Sequence, residues 1–417
     1  MNIEELFYKI GMHPSETDIE ALTDSFLDEM RKGLSAEPSS LPMMPTYFSA
    51  DTVPYEGGPV VSIDAGGTNL RIASVTFKQG VPILEKLEVM SMPGIYEEIS
   101  AMEFFDILAE KTLPLCHDSR HIGLSFSYPA EIFENHDGRL LNLNKELKIK
   151  DAEGLVIGET LKKALAEKGL NKEMSFTLLN DTTAGFLGAA ADGKAQNSLA
   201  GLVVGTGLNC CYFERGENIK KLQNPRDMII NCEAGMFNKL SPSQADLLVD
   251  AESEIPEDHL LEKMVSGAYL GRLVSHTARL AAHEGILTPA FAEDFKPFDT
   301  KELDDYIRGA HNRVWGMCRD RDEIAIQYII DRTFERSAKL VCAVVAALCL
   351  HCDGGKDSKN PFYIAAEGSV FNGSLLFQKK LEKYVDSHIY MNLSRYVSFY
   401  NQENATLIGA AAAALSK

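Results

Sequence analysis

The chain has 417 residues, which is longer than a single hydrophobic core usually supports and predicts two domains. Hydrophobic residues make up 45% of it and charged residues 24%, so the composition excludes disordered, collagen-like and coiled-coil proteins. The formal net charge of −19 opposes binding to nucleic-acid phosphates and to anionic lipids, and we expect neither a nucleic acid nor a membrane as a partner.

The N-terminus and the cysteines predict a cytoplasmic protein. The first residues include Glu4 and Glu5 where a secretory signal peptide is basic, and no apolar segment follows them. The eight cysteines lack the even spacing of a disulfide framework and suit a reducing compartment. Cys349 and Cys352 have the spacing of half a zinc site, but no second pair of Cys or His stands at a matching distance. No side chain is therefore predicted to bind a metal.

A helix and a connector precede the first strand. The helix begins with the capping sequence at residues 15–18, continues with apolar residues at helical spacing and ends at Gly33. A polar segment marked by prolines follows it, over residues 36–58.

A unit of two strands joined by a glycine turn then occurs twice. In the first copy the turn spans residues 65–69, and the strand after it, 70–77, alternates with period two. In the second copy the turn spans residues 205–207. The two copies are far enough apart for each to begin its own domain.

Strands and amphipathic helices alternate around these units. Strand-like segments at 121–128 and 175–179 alternate with helical patterns at 156–167 and 260–279. The predicted fold class is α/β.

The glycine turns are candidate phosphate sites. Successive backbone N–H groups in such a turn can approach an anion closely because glycine has no Cβ atom. A single turn of this kind is equally typical of a plain hairpin, but the repetition favours a phosphate site in each copy. The chain has no P-loop sequence, and the turn at 205–207 leads into a strand rather than a helix, which excludes dinucleotide binding of the Rossmann type.

Asp181 is the first candidate catalytic residue, because it stands where an apolar strand ends and a helix begins. As an isolated residue it is equally typical of a helix N-cap. Beside Asn180 and Thr182 it can act as a general base for a polyol hydroxyl. Glu233 and Glu262 are further candidates, although each is also compatible with an ordinary solvated position.

Segments that span nearly the whole chain resemble the motifs of the eukaryotic-type hexokinase family, in that family's order. Residues 64–71 and 205–209 resemble its two phosphate motifs, and Asn180-Asp181-Thr182 resembles its catalytic segment. The other matching segments are 123–129, which resembles the sugar-binding Phe-Ser-Phe-Pro segment, 228–237 and 262–271, which resemble the segments with the two sugar-binding Glu residues, and 366–371, which resembles the adenosine motif.

The resemblance implies a two-domain actin-like ATPase fold, of the ribonuclease H-like type, with a cleft between a small and a large domain. Residues 1–57 would form an N-terminal helix and connector that pack on the large domain. Residues 58–180 would form the small domain and 181–403 the large domain. Residues 404–417 would form a helix that returns to the small domain.

The resemblance also implies the roles of individual residues. The catalytic residues would be Asp181, as the base, with Lys145 and Arg71. The hexose would be held by Ser127, Asn144, Lys145, Asn180, Asp181, Asn209, Glu233 and Glu262. The nucleotide would be held by Asp64, Gly66, Gly67, Thr68, Asn69, Gly205, Thr206, Gly207, Gly368, Ser369 and Val370.

The implied activity is that of a hexokinase, which transfers the γ-phosphoryl group of Mg-ATP to the 6-hydroxyl of a hexose. Glucose is the expected hexose and ATP with Mg²⁺ the expected cofactors. Ala234 stands where the family usually has Trp, and Asn144 stands where it usually has Thr, so mannose, fructose and N-acetylhexosamines remain alternative substrates. A sugar sensor with weak catalysis and a chaperone or filament ATPase are alternatives from other classes. The sequence does not indicate an oligomeric state.

Overall fold

The computed structural model describes residues 1–49, 53–128, 130–141, 147–293, 295–319 and 321–416. The strands in chain order are β1 (Met44–Pro45), β2 (Gly57–Ala65), β3 (Asn69–Lys78), β4 (Val81–Ser91), β5 (Ile99–Ser100), β6 (His121–Phe126), β7 (Ala130–Ile132), β8 (Gly138–Leu140), β9 (Ile149–Lys150), β10 (Ser175–Asn180), β11 (Leu199–Val204), β12 (Leu208–Glu214), β13 (Met228–Asn231), β14 (Phe362–Glu367) and β15 (Val397–Tyr400).

The α-helices in chain order are α1 (Ile3–Lys9), α2 (Ile19–Leu34), α3 (Ala101–Cys116), α4 (Ile157–Glu167), α5 (Asp181–Ala191), α6 (Gln244–Ala251), α7 (Leu260–Val265), α8 (Gly267–His283), α9 (Thr300–Ile307), α10 (Arg313–Met317), α11 (Asp322–His351), α12 (Ser369–Gly373), α13 (Leu375–Tyr384) and α14 (Ala405–Leu415). None of these helices is both long and apolar enough to cross a bilayer.

The first large sheet has five strands in the order β10-β6-β2-β3-β4. β2, β6 and β10 are parallel, and their last residues lie side by side, Ala65 opposite Phe126 and Phe126 opposite Asn180. Because parallel strands in register end at one edge, the residues that follow these three strands lie close together. Helices α3 and α4 cover the sheet with buried side chains such as Phe105 and Leu161.

The second large sheet has six strands in the order β1-β13-β12-β11-β14-β15. β11 pairs with β12 in antiparallel and with β14 in parallel orientation, which is the arrangement of β2 with β3 and β6 in the first sheet. The predicted repetition of the strand-turn-strand unit is therefore confirmed. Helices α1 and α2 add Phe7, Phe26 and Met30 to the core of this sheet.

The structure confirms one of two helices predicted from the sequence and divides the other into two. The helix expected from residue 156 is confirmed as α4, whereas the single helix expected at 260–279 is wrong. The backbone of Ser266 is extended and separates α7 from α8. The break allows the N–H of Gly267 to donate to the carbonyl oxygen of Gly205 at 2.7 Å, so the second glycine turn is attached at the start of α8.

Helices α5 and α14 pack against each other at a very short separation, and α14 also packs on β2 and β6 of the first sheet. A Cβ atom on Gly409 would lie 1.8 Å from the carbonyl oxygen of Ala184, and one on Gly188 would lie 2.3 Å from that of Ala405. Glycine is required at this crossing because no side chain fits between the two backbones. Since Asp181 begins α5, this crossing fixes the position of the candidate base.

The Gly409→Ala variant should be less stable than the wild type by about 1–3 kcal/mol or more, because the added methyl group forces α5 and α14 apart. The measurement is the free energy of unfolding from urea titration. Gly316→Ala is the matched control, since a Cβ atom there meets no other atom within 4 Å. Equal stability of both variants would contradict the close approach of the two helices.

Candidate active site

Three polar residues meet at the edge where β2, β6 and β10 end. Asp64 is close to the end of β2, Ser127 follows β6 and Asp181 follows β10. The Ser127 hydroxyl donates to the Asp181 carboxylate, and the charge of Asp64 acts on it as well. The structure therefore brings together the residue predicted as the base and two of the residues predicted to bind ligands.

Asp181 is not the N-cap of its helix. The side chain of Asn180 takes that role and accepts a hydrogen bond from the N–H of Thr182 at 2.9 Å. The Asp181 carboxylate accepts from the same N–H at 2.7 Å. Burial raises the pKa of Asp181 above its ordinary value, and the negative charge of Asp64 acts in the same direction. A buried carboxylate of raised pKa is a better proton acceptor than a solvated one.

Arg71 is held by Asp64. Its Nε and Nη2 atoms lie 2.9 and 2.6 Å from one carboxylate oxygen of Asp64, and Nη2 also donates to Thr406 Oγ1 at 2.9 Å. The pair joins β2, β3 and the start of α14. It also leaves a positive charge beside the partly buried carboxylate of Glu367, whose pKa desolvation raises to about 7.

Each glycine turn is closed by one backbone hydrogen bond, although the first turn is one residue longer than the second. The N–H of Gly66 donates to Asn69 O at 3.1 Å, and the N–H of Gly205 donates to Gly207 O at 3.0 Å. In the described part of the chain, the next two N–H groups of each turn donate no hydrogen bond to protein, and these belong to Gly67, Thr68, Thr206 and Gly207. Paired N–H donors of this kind form an anion-binding concavity.

The two turns face each other across the cleft between the sheets. A Cβ atom on Gly67 would lie 3.6 Å from Thr206 Oγ1. The predicted adenosine segment adjoins the second turn, because a Cβ atom on Gly205 would lie 3.3 Å from Gly368 Cα. Ser369 and Val370 follow Gly368 as the first residues of α12. The two turns and the start of the predicted adenosine segment therefore lie close together.

Three carboxamides and a carboxylate form a second cluster. Asn209 Nδ2 donates to Asn231 Oδ1 at 2.7 Å and lies 3.4 Å from Asn180 Oδ1. Asn231 Nδ2 donates to Glu233 Oε1 at 2.6 Å. Glu233 has a left-handed backbone, φ 56°, which is uncommon outside glycine and is often found at functional sites. Burial raises the pKa of Glu233.

Glu262 connects this cluster to the second glycine turn. Its Oε2 atom accepts a hydrogen bond from the N–H of Leu208 at 2.9 Å. A Cβ atom on Gly207 would lie only 2.6 Å from the same oxygen, so a larger residue there would displace the Glu262 carboxylate. Burial raises the pKa of Glu262, while His259 favours its ionised form, as it does for Glu233. A set of carboxamides and carboxylates suits the hydroxyl groups of a sugar.

Asn144 and Lys145 lie outside the described residues, so their predicted roles stay predictions. Asn231 and Glu367 were not predicted as site residues. Asn231 had a usable signal, because alternation along an extended segment places it on the same face as Glu233. Glu367 lies within the predicted adenosine segment 366–371, but its proximity to Asp64 and Arg71 of the first sheet could not be predicted, because those residues are distant in sequence.

Comparison with known proteins identifies the family. Two family models described as hexokinase match residues 8–191 and 199–416. The chain belongs to the hexokinase family. Hexokinase-1 of Schizosaccharomyces pombe is 27% identical over 94% of this chain and 86% of its own length. Hexokinase-3 of Oryza sativa subsp. japonica is 28% identical over 94% of this chain and 85% of its own length.

Solved structures agree with this assignment. The hexokinase of Schistosoma mansoni, complexed with glucose, matches 100% of both chains with a TM-score of 0.84 at 25% identity. A ROK-family glucokinase from Streptomyces griseus matches 86% of this chain and 99% of its own with a TM-score of 0.53 at 17% identity, which shows a common fold. This hexokinase-family chain is therefore a sugar phosphotransferase with the two-domain actin-like ATPase fold, which implies that it uses ATP.

The Asn231→Ala variant should raise the KM for the hexose about tenfold or more, because Glu233 loses the hydrogen bond that orients it. The KM for ATP should change less than twofold. Asn218→Ala is the matched control, since Asn218 Nδ2 donates to the buried Glu214 at 2.8 Å away from the cluster. If both variants shift the hexose KM equally, Asn231 has no special role at the site.

Proposed function

We propose that this hexokinase transfers the γ-phosphoryl group of Mg-ATP to the 6-hydroxyl of glucose, with Asp181 as the general base. The observation that supports the proposal is the position of the Asp181 carboxylate. Its charge acts on Glu233 in the carboxamide cluster and also on Glu367, next to the second glycine turn. A base in that position can reach a hydroxyl group that faces a bound polyphosphate.

The carboxamide cluster would hold the sugar. Glu233 and Glu262 can each accept hydrogen bonds from two neighbouring hydroxyl groups, and Asn180 and Asn209 can both donate and accept. The glucose in the similar Schistosoma structure supports glucose as the hexose. The cluster would hold the sugar so that one hydroxyl group lies at Asp181. The reaction of that hydroxyl with the bound nucleotide then no longer depends on a chance encounter of two free molecules.

The glycine turns would hold the phosphates. The N–H groups of Gly67, Thr68, Thr206 and Gly207, which donate to no acceptor among the described residues, can donate to phosphate oxygens and stabilise the charge that develops on the transferred group. Arg71 neutralises Asp64 and so limits the repulsion between that carboxylate and the phosphates. Lys145 would add a positive charge, as the resemblance implies.

The residues present also fit a magnesium ion. Mg²⁺ is usually bound through one or two carboxylates together with substrate phosphates. Asp64 lies at the end of the strand that leads into the first turn, and Glu367 directly precedes Gly368, which adjoins the second turn. They would face the ion. It would supply charge neutralisation on the β- and γ-phosphates.

Asp181 would take the proton of the 6-hydroxyl as that oxygen attacks. The hydrogen bonds from Ser127 and from the N–H of Thr182 orient the carboxylate, and burial keeps it from being fully solvated. Closure of the two domains on the sugar would exclude water, which otherwise competes as an acceptor of the phosphoryl group.

We infer that the domains follow the two sheets, with boundaries at 58–180 for the small domain and 181–403 for the large one. Residues 1–57 would belong to the large domain, and 404–417 would return to the small one. The contacts of α2 with α11, and of α14 with β2, support this division. The eight cysteines are free thiols in the structure, which supports a cytoplasmic location.

An assay of ADP release with glucose, mannose, fructose, glucosamine, N-acetylglucosamine or no sugar tests the function. We expect release to depend on sugar, with the highest kcat/KM for glucose, and the coupled assay should detect the 6-phosphate. Release without sugar would indicate an ATPase. Sugar binding without release would indicate a sensor.

Asp181→Asn should lower kcat by about 10²–10⁴-fold, because the variant keeps the shape of the side chain and loses the base. The affinity for glucose, from calorimetry, should change only a few-fold. In the wild type, kcat/KM should fall as the pH falls through the raised pKa of Asp181, since only the ionised carboxylate accepts a proton.

The matched control is Asp192→Asn, at the C-terminal end of α5. Asp192 is exposed and its carboxylate accepts a hydrogen bond from the Tyr400 hydroxyl. This variant should keep the wild-type kcat. Near-normal turnover of a folded Asp181→Asn protein would remove Asp181 from the role of base.

A further inference from the structure

We propose that the hydroxyl group of Tyr128 is a positioning group for the first phosphate-binding turn. It orients the N–H groups of Gly67 and Thr68 toward the terminal phosphates of ATP. The proposal rests on the proposed function of the turns and assigns a role to a residue outside the predicted site set.

The Tyr128 side chain is buried against the turn. It is only 5% exposed, and its ring packs on the edge of Phe126 with 5.2 Å between the ring centroids. The hydroxyl oxygen lies 3.0 Å from the carbonyl oxygen of Gly66 and 3.5 Å from that of Gly67. A single O–H therefore faces two successive carbonyl groups of the turn.

Because the peptide bond is planar, the direction of these two carbonyl groups also sets the direction of the N–H groups bonded to them. In a planar trans peptide, the C=O of one residue and the N–H of the next point in opposite directions. The carbonyl of Gly66 shares a peptide unit with the N–H of Gly67, and the carbonyl of Gly67 shares one with the N–H of Thr68. When both carbonyls point to Tyr128, both N–H groups must point away from it.

Those N–H groups are the donors that the turn does not use internally. Within the described residues, neither donates to a protein acceptor. Gly67 faces Thr206 of the second turn, since a Cβ atom on Gly67 would lie 3.6 Å from Thr206 Oγ1. The Tyr128 hydroxyl thus holds the two peptide units in the orientation in which their donors reach an anion in the cleft.

The same segment connects the turn to the candidate base. The N–H of Ser127 donates to Ala65 O at 3.2 Å, and its hydroxyl donates to Asp181. Adjacent residues therefore position the base and the phosphate donors. Tyr128 stands where the family's Phe-Ser-Phe-Pro segment has its second Phe. This chain therefore has one hydroxyl group more at a position that also accommodates Phe.

The test is Tyr128→Phe, which removes that single oxygen atom. The affinities for the ATP analogue AMP-PNP and for AMP, both with Mg²⁺ and saturating glucose, are measured by calorimetry. AMP-PNP should bind about tenfold more weakly, the change expected when hydrogen-bond donors are misaligned. AMP, which lacks the β- and γ-phosphates, should bind within twofold of the wild type.

In steady-state kinetics the KM for ATP should rise about tenfold, while the KM for glucose stays within twofold. The control is Tyr384→Phe, which removes a hydroxyl that donates to the buried Glu335 at 2.5 Å outside the site. It should leave both KM values unchanged, whatever its effect on thermal stability.

Unchanged AMP-PNP affinity in Tyr128→Phe would overturn the proposal, and so would an equal loss of affinity for AMP and AMP-PNP. These results concern binding, so they are independent of turnover. If the wild type binds AMP-PNP but phosphorylates no sugar, the proposed function fails, and the calorimetric comparison still decides the role of Tyr128.

Discussion

The site depends first on the parallel pairing of β2, β6 and β10. Hydrogen bonding in register makes the three strands end side by side, and the chain leaves each of them at the same edge. Asp64, Ser127 and Asp181 meet there although they are far apart in sequence. The crossing of α5 and α14 at Gly409 then holds the helix that begins with Asp181 against the first sheet. A shift of one strand by one residue would move its polar residue to the opposite face.

The site also concentrates charge that the fold does not fully neutralise. Burial raises the pKa values of Asp181, Glu233, Glu262 and Glu367, whereas Asp64 is paired with Arg71. Desolvated carboxylates whose charge is not fully neutralised lower stability, and a chain selected for stability alone would replace them. Their cost is consistent with a site that is completed by a polyol, a metal ion and a polyphosphate, each of which supplies donors or positive charge.

The elements proposed to bind the sugar and those proposed to bind the phosphates contact each other. Glu262 accepts from the N–H of Leu208, directly after the second turn, and Tyr128 contacts the carbonyls of the first turn. Each turn is therefore attached to a segment that contributes to the proposed sugar site or adjoins it. Such contacts give a physical route by which occupancy of one part of the site can order the other, as coupling between two ligands requires.

Local patterns determined much of this protein. Glycine at the two turns, alternation in the flanking strands and Asp181 at a junction of strand and helix all depend on neighbouring residues. The α/β class, the repeated unit and several residues of the candidate site could therefore be proposed from the sequence. The break at Ser266, the hydrogen bonds of Asn231 and the position of Glu367 beside Arg71 could not. They depend on contacts between segments distant in sequence, and only the packed structure determines which backbone groups those segments must satisfy.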